Sequence, residues 1–225
     1  MDYLFLSRTA LFHGASAEEV ESMLNCLCAV SRRFAKGAEI FRAGEVVSSM
    51  GLVLSGALHI ENNDLWGNKS IINRIPAGHI FAETYACIPG EPLMVNVSAA
   101  EPCEVLFLSP ARLLKTCPSA CPHHMRLIQN LLAVTAQKNL ALSRRILHTT
   151  PKTIRKRLTS YLAYEAARRG SVSFSIPFDR QQLADYLSVD RSALSNELSK
   201  MQRDGLLRVR KNEFVLTSML SQSAD

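Results

Sequence analysis

No run of eighteen apolar residues occurs in the chain, and its opening, MDYLFLSRTALF, lacks a basic stretch followed by an apolar core. Neither a membrane span nor a secretory leader is expected, so the reading is of a cytoplasmic protein with no membrane partner. Cysteine is sparse, at six in 225 residues. That is too few for a disulfide scaffold and leaves buried thiols, metal ligands or redox sensors as their roles. His-x-His pairs are missing as well.

What is present is charge that is unevenly spread. The net charge is +6, yet residues 151–225 hold 13 Lys and Arg against 8 Asp and Glu, while residues 1–150 hold 13 against 12. The excess sits in the last third, as expected of a segment that meets a polyanion, although a solvated basic face is the plain alternative. A length of 225 residues with 47% hydrophobic content suits two small domains with real cores.

Ser16-Ala-Glu-Glu19 has the spacing of a capping box and predicts a short helix through Val30. Alternation of apolar and polar residues follows, interrupted by Gly37, Gly44, Gly51 and Gly56. More short strands are predicted around Ser70–Ile75, Leu93–Ser98 and Glu104–Leu108, which together read as a β-roll or jelly roll. Cupin-like metalloenzymes use such rolls, but a catalytic metal needs about three converging ligands and His59 and His79 stand alone. A cupin-like enzyme with a basic docking domain is the weakest alternative. A binding pocket is the expectation, with no catalytic cofactor and no enzymatic activity.

From His123 the pattern turns helical. Met125, Ile128, Leu132, Thr135, Asn139, Leu142 and Ile146 alternate at spacings of three and four, a heptad seam with Asn139 at a position where a buried amide sets register. Leu127, Leu131, Val134 and Ala141 form a second stripe suited to packing on the chain's own roll. Two stripes ask for two neighbours, one of them a second copy of the chain; burial within one domain is the alternative. Thr149-Thr150-Pro151 predicts an N-cap and first-turn proline for a helix from Lys152 to Arg169, ending at Gly170.

In the last third Asp179 and Gln182 form another capping box, Ser188-Val189-Asp190 reads as a turn, and Asp190 caps a second helix. Leu183, Ala184 and Leu187 face Leu194, Leu198 and Met201, which is helix-turn-helix spacing. The first turn of such a second helix enters the major groove of double-stranded DNA. Arg191 then suits guanine O6 and N7, Asn196 suits adenine, and Ser192 and Ser195 can donate or accept. Lys200 and Arg203 suit phosphates, as do Arg208, Arg210 and Lys211 on a predicted two-stranded wing after Gly205.

The whole chain resembles the Crp/Fnr family of bacterial transcription regulators. The resemblance rests on the glycine-punctuated roll, Gly78-His-Ile-Phe-Ala-Glu83, the seam helix and Arg191-Ser-Ala-Leu-Ser195. It implies an α+β fold in three parts: a β-roll effector-sensing domain over 1–122, a dimerisation helix over 123–148 and a winged helix-turn-helix domain over 149–225. It also implies a homodimer on a pseudo-palindromic operator, RNA polymerase as a further partner, and Arg191, Ser195 and Asn196 at the base-reading positions. Glu is more frequent in the family beside that Ser and Arg, so a different half-site is expected here.

In the family's cyclic-nucleotide branch, a Gly-Glu-Leu turn and a following Arg-Ser pair hold the ribose and phosphate. Glu83 matches that turn, but Leu93 and Met94 stand where Arg-Ser would be. A buried phosphate with no cation is costly, so the effector is expected to be an unknown small molecule other than cyclic AMP. The resemblance places Glu83, Thr84, Leu93, Met94, Lys138 and Asn139 at its pocket. Cys26 and Cys28 are spaced too closely for the iron–sulfur branch. Cys117, Cys121, His123 and His124 leave a redox- or metal-sensing regulator as the alternative.

Overall fold

The computed structural model describes residues 1–63, 69–113 and 122–217. They form two units, Met1–Gln137 and Lys138–Asp225. Each has its own buried apolar cluster.

In the first unit, α1 (Tyr3–Ser7) precedes α2 (Ala17–Leu27), where Ser16 and Glu19 form the expected capping box. The helix stops short of Val30. Cys28 takes a left-handed conformation, and Val30 opens β1 (Val30–Phe34), which pairs antiparallel with β8 (Cys103–Leu108). Ladder bonds along β8 and the strand preference of Val30 and Phe34 outweigh further helix there. The remaining elements are β2 (Glu39–Phe41), β3 (Met50–Ser55), β4 (Ala57–Asn63), β5 (Lys69–Pro76), β6 (Ile80–Phe81), α3 (Glu83–Cys87), β7 (Asn96–Ala99) and α4 (Pro110–Leu113).

Two four-stranded sheets result, in the orders β1-β8-β3-β6 and β2-β7-β4-β5. Strand β7 starts later than expected. Leu93 lies before it, its N–H donating to Glu45 O and its carbonyl accepting from Gly44 N. Alternation along β3 and β8 divides the core. Val53 and Val105 join Leu58, Phe81 and Val97, which strands of both sheets supply. Leu52 and Leu106 instead join Leu6 of α1, Phe12 of the segment that follows it and Val20 of α2. Gly56 turns β3 into β4 at φ +73°, where a Cβ would lie 2.4 Å from the Pro102 carbonyl oxygen.

Helix α5 (Pro122–Thr149) runs through both units. Its early turns bury Leu127 and Leu131 against the first unit, with Ile128 and Val134 partly buried beside them. Arg126 donates to Gly14 O and Glu19 Oε2, and Asn130 donates to Leu11 O and His13 O. Ala141, expected in that same stripe, belongs to the second unit.

The second unit contains α6 (Ile154–Arg169), β9 (Ser173–Ser175), α7 (Arg180–Leu187), α8 (Arg191–Arg203), β10 (Leu207–Arg210) and β11 (Glu213–Leu216). The cap of α6 is Thr153, whose hydroxyl accepts from Lys156 N. Thr149 and Thr150 instead donate back to Arg145 O and Ile146 O on α5, so Pro151 does not start the next helix. Strand β9 was not foreseen; it pairs with β11 in a sheet ordered β10-β11-β9, with Phe174 opposite Phe214 and their rings stacked. The fold is α+β.

Candidate nucleic-acid interface

Helices α7 and α8 meet through buried Leu183, Ala184, Leu187, Leu194, Leu198 and Met201. Asp179 accepts from Gln182 N at 2.8 Å while Gln182 Oε1 accepts from Asp179 N at 2.9 Å. Ser188 ends α7 in a left-handed conformation, and Val189 packs against the core. Asp190 Oδ1 then accepts from the Ser192 hydroxyl, from Ser192 N at 2.8 Å and from Ala193 N at 3.0 Å. The Ser192 hydroxyl first, then the two backbone N–H groups, hold the Asp190 carboxyl below the usual carboxylate range.

These contacts leave the first two turns of α8 with an outward face of Arg191, Ser192 and Asn196 exposed and Ser195 half-buried. Ser192 is engaged in the cap through its hydroxyl proton, and its oxygen keeps acceptor capacity. Arg191 and Asn196 make no side-chain hydrogen bond or ion pair with another described residue. A cation on the first turn opposes the helix dipole, so helix stability gives no reason for Arg191.

Lys200, Arg203, Arg208, Arg210 and Lys211 are exposed and have no carboxylate partner among the described residues. Arg208 and Arg210 alternate with inward Leu207 and Val209 on β10, and Lys211 forms the turn with φ +54°. Gln202 Oε1 accepts from Val209 N at 3.0 Å, tying α8 to this hairpin.

Three arginines that the sequence did not single out hold the helix pair in place. Arg157 donates to Pro151 O at 2.8 Å and to Leu187 O and Ser188 O, both at 3.0 Å. Arg145 donates to Asp185 O and Tyr186 O. The last carbonyls of α7, which a helix end leaves without intrahelical partners, are thereby satisfied from α5 and α6. Arg155 pairs with Glu197 at 2.6 Å and with Asp204 at 2.8 Å, fastening α6 to the middle and the end of α8. Basic residues on a helix carry no signal for such targets, because the carbonyls they reach lie about thirty to forty positions later.

In the first unit, Ala82 takes a left-handed conformation with φ +58° and α3 begins at Glu83, which is 5% exposed. Thr84 is exposed, Leu93 is buried and Met94 is 75% exposed. Lys138 and Asn139 belong to the second unit, where the Ser143 hydroxyl reaches Asn139 Oδ1 at 3.4 Å. Cys117 and Cys121 lie outside the described residues. His123 faces Glu19 at 3.4 Å, and His124 is buried with neither ring nitrogen hydrogen-bonded. Among the described residues no three His, Cys, Asp or Glu side chains converge as for a metal. No helix among them is long and apolar enough to cross a membrane.

Known proteins reproduce this order of parts. Residues 31–119 match the family model of the cyclic nucleotide-binding domain, and residues 156–219 match that of the Crp-like helix-turn-helix domain. The chain belongs to the Crp/Fnr family of transcription regulators. This Crp/Fnr chain is 28% identical over 99 residues to transcriptional activator protein FnrL of Cereibacter sphaeroides, a match spanning 40% of either protein. It is 26% identical over 192 residues to transcriptional activator protein FnrA of Stutzerimonas stutzeri, spanning 81% of this chain and 74% of that protein.

Solved structures share the Crp/Fnr fold. The c-di-GMP responsive global regulator CLP of Xanthomonas campestris superposes with a TM-score of 0.54 at 21% identity, over 90% of this chain and all of that one. CprK complexed with OCPA gives 0.54 at 16% identity, over 87% and 91% of the two chains. The helix-turn-helix match contains each residue from Arg191 to Lys211 discussed above, and the cyclic nucleotide-binding match contains Glu83, Leu93 and Met94.

Proposed function

We propose that this Crp/Fnr chain acts as a homodimeric, sequence-specific DNA-binding regulator of transcription, controlled by a small molecule bound in its β-roll. The observation that carries the reading is the exposed tip of α8, where the Arg191 and Asn196 side chains have no hydrogen-bond or ion-pair partner among the described residues and five cations without a carboxylate partner there accompany them. Arg191, Ser195 and Asn196 read base edges, Ser192 serves as an acceptor beside the cap, and Lys200, Arg203, Arg208, Arg210 and Lys211 meet phosphates. The division into a sensor over 1–122, a dimer helix over 123–148 and an output domain over 149–225 belongs to the same proposal. So do a cytoplasmic location, RNA polymerase as a partner and the absence of enzymatic activity.

The exposed seam of α5 supports dimerisation. Leu132 and Leu142 are 67% and 62% exposed, and Met125 and Ile146 are comparably open. Ile128 and Thr135 are half-buried, and Asn139 is exposed on the same stripe. Large apolar side chains in heptad register and open to solvent fit a second copy of the helix.

Two experiments test the reading. Operator selection with the purified dimer should return a pseudo-palindrome, and Arg191→Ala should reduce discrimination at one base pair per half-site by about 1–3 kcal/mol. Equal weakening on selected and scrambled duplexes would remove Arg191 from the base-reading role. For the effector, cyclic AMP should leave the melting temperature unchanged, because Leu93 and Met94 offer a phosphate no cation. A saturable rise with cyclic AMP would overturn that part of the proposal.

A further inference from the structure

A cleft of about 590 Å³ lies within the second unit, and none of the proposed DNA-contacting residues lines it. Ala141 and Arg144 of α5, Tyr161, Tyr164, Glu165, Arg168 and Arg169 of α6, the segment Ser175–Phe178 and Tyr186 of α7 line it. Its volume falls in the range of small-molecule sites, roughly 300–1,000 Å³.

The walls are aromatic. The rings of Tyr161, Phe178 and Tyr186 stand 5.0–6.1 Å apart, centroid to centroid. Tyr161 is 3% exposed, yet its hydroxyl hydrogen-bonds to no described residue and is not sealed from solvent. Tyr161 is among the residues that line the cleft. Burial, first among several causes, pushes the Tyr161 phenol well above its ordinary value, so it keeps its proton and presents a donor.

The rim is cationic. Arg168 and Arg169 share the buried Glu165 carboxylate at 2.9 and 3.0 Å. Arg144 lies 5.4 Å over the Tyr164 ring and has no carboxylate partner among the described residues. Three guanidinium groups against one carboxylate favour an anion. Arg144, with its whole guanidinium uncommitted to a carboxylate among the described residues, and the Tyr161 hydroxyl are groups able to bind one.

We propose that this cleft is a second small-molecule site, taking a planar aromatic carboxylate whose ring lies against the tyrosines and whose carboxylate meets Arg144. Successive helical residues are rotated by about 100°, so Ala141 and Arg144 share one side of α5 and Leu142 and Ile146 the other. A partner helix on the seam leaves the cleft open.

Calorimetric titration of the full-length protein with 2-naphthoate, beside its uncharged analogue 2-naphthamide, tests the site. Naphthoate should bind saturably with one site per chain, and naphthamide about tenfold or more weakly, as loss of a charge-assisted pair implies. Arg144→Gln and Tyr161→Phe should each weaken naphthoate by about three- to tenfold with the fold intact by circular dichroism. Met94→Asp in the roll and Arg191→Ala on α8 should leave it unchanged, so failure here and failure of the DNA-binding reading are separate results. Absence of saturable binding, equal affinity for acid and amide, or full affinity in Arg144→Gln would overturn the proposal. Loss of binding in Met94→Asp alone would place the ligand in the roll and overturn it equally.

Discussion

The two units use their polar residues in opposite ways. Around α7 and α8, guanidinium groups of Arg145, Arg155 and Arg157 are engaged by carbonyls and carboxylates inside the unit, while Arg191 and the wing cations have no carboxylate partner among the described residues. Around α3 in the roll, the buried group is a carboxylate, Glu83, and the side chains at Leu93 and Met94 are apolar. One region is organised for an anion outside it. The other offers no cation at the corresponding turn. A rigid internal frame is what allows unpaired charge to be displayed at a fixed place, since each displayed cation would otherwise fold back onto a nearby carboxylate.

The sharpest way to break this contrast is to remove the frame's core. Leu198→Ala should destabilise the second unit by about 2–5 kcal/mol, while the first unit, whose cluster contains none of these residues, keeps its urea midpoint. A matching loss in both units would show that they do not fold as separate bodies. Next in size is Arg157→Ala, which removes three charge-assisted hydrogen bonds and should cost about 1.5–3 kcal/mol. Its expected signature is weakened binding to selected DNA with Arg191 still in place, measured by fluorescence anisotropy. Unchanged affinity would reduce Arg157 to a bystander.

The smallest effect should come from Lys211→Ala. It should weaken all duplexes alike and lower the slope of log K against log salt by about 0.9. A base-specific loss at Lys211 would erase the division between reading and phosphate residues.

Much of this was legible in the chain because it depends on near neighbours. Both capping boxes need only a side chain and a backbone N–H three residues apart, and both formed as spaced, at Ser16 and Asp179. The alternation after Gly205 likewise produced the β10–β11 hairpin. Where a distant partner competed, local reading failed. Helix α2 ended before Val30 because β8, more than seventy residues later, offered that segment a ladder. Strand β9 exists because β11 pairs with it, and no periodicity can be read from Ser173-Phe174-Ser175 alone. Thr153 rather than Thr150 capped α6 once Thr150 bonded to the turn before it.

By itself, then, the order of residues determined most of the longer helices and strands, the helix-turn-helix and which side chains stand on the tip of α8, because helix and strand periodicities act over a few residues. Only the tertiary structure decided that Arg155 and Arg157 brace that tip, that Ser192 is tied to the cap, and that Tyr161, Arg144 and Glu165 surround one cleft. Those contacts join segments brought together by burying Leu158, Leu183 and Leu198 in one core, and the hydrophobic effect that drives such burial carries no direction along the chain.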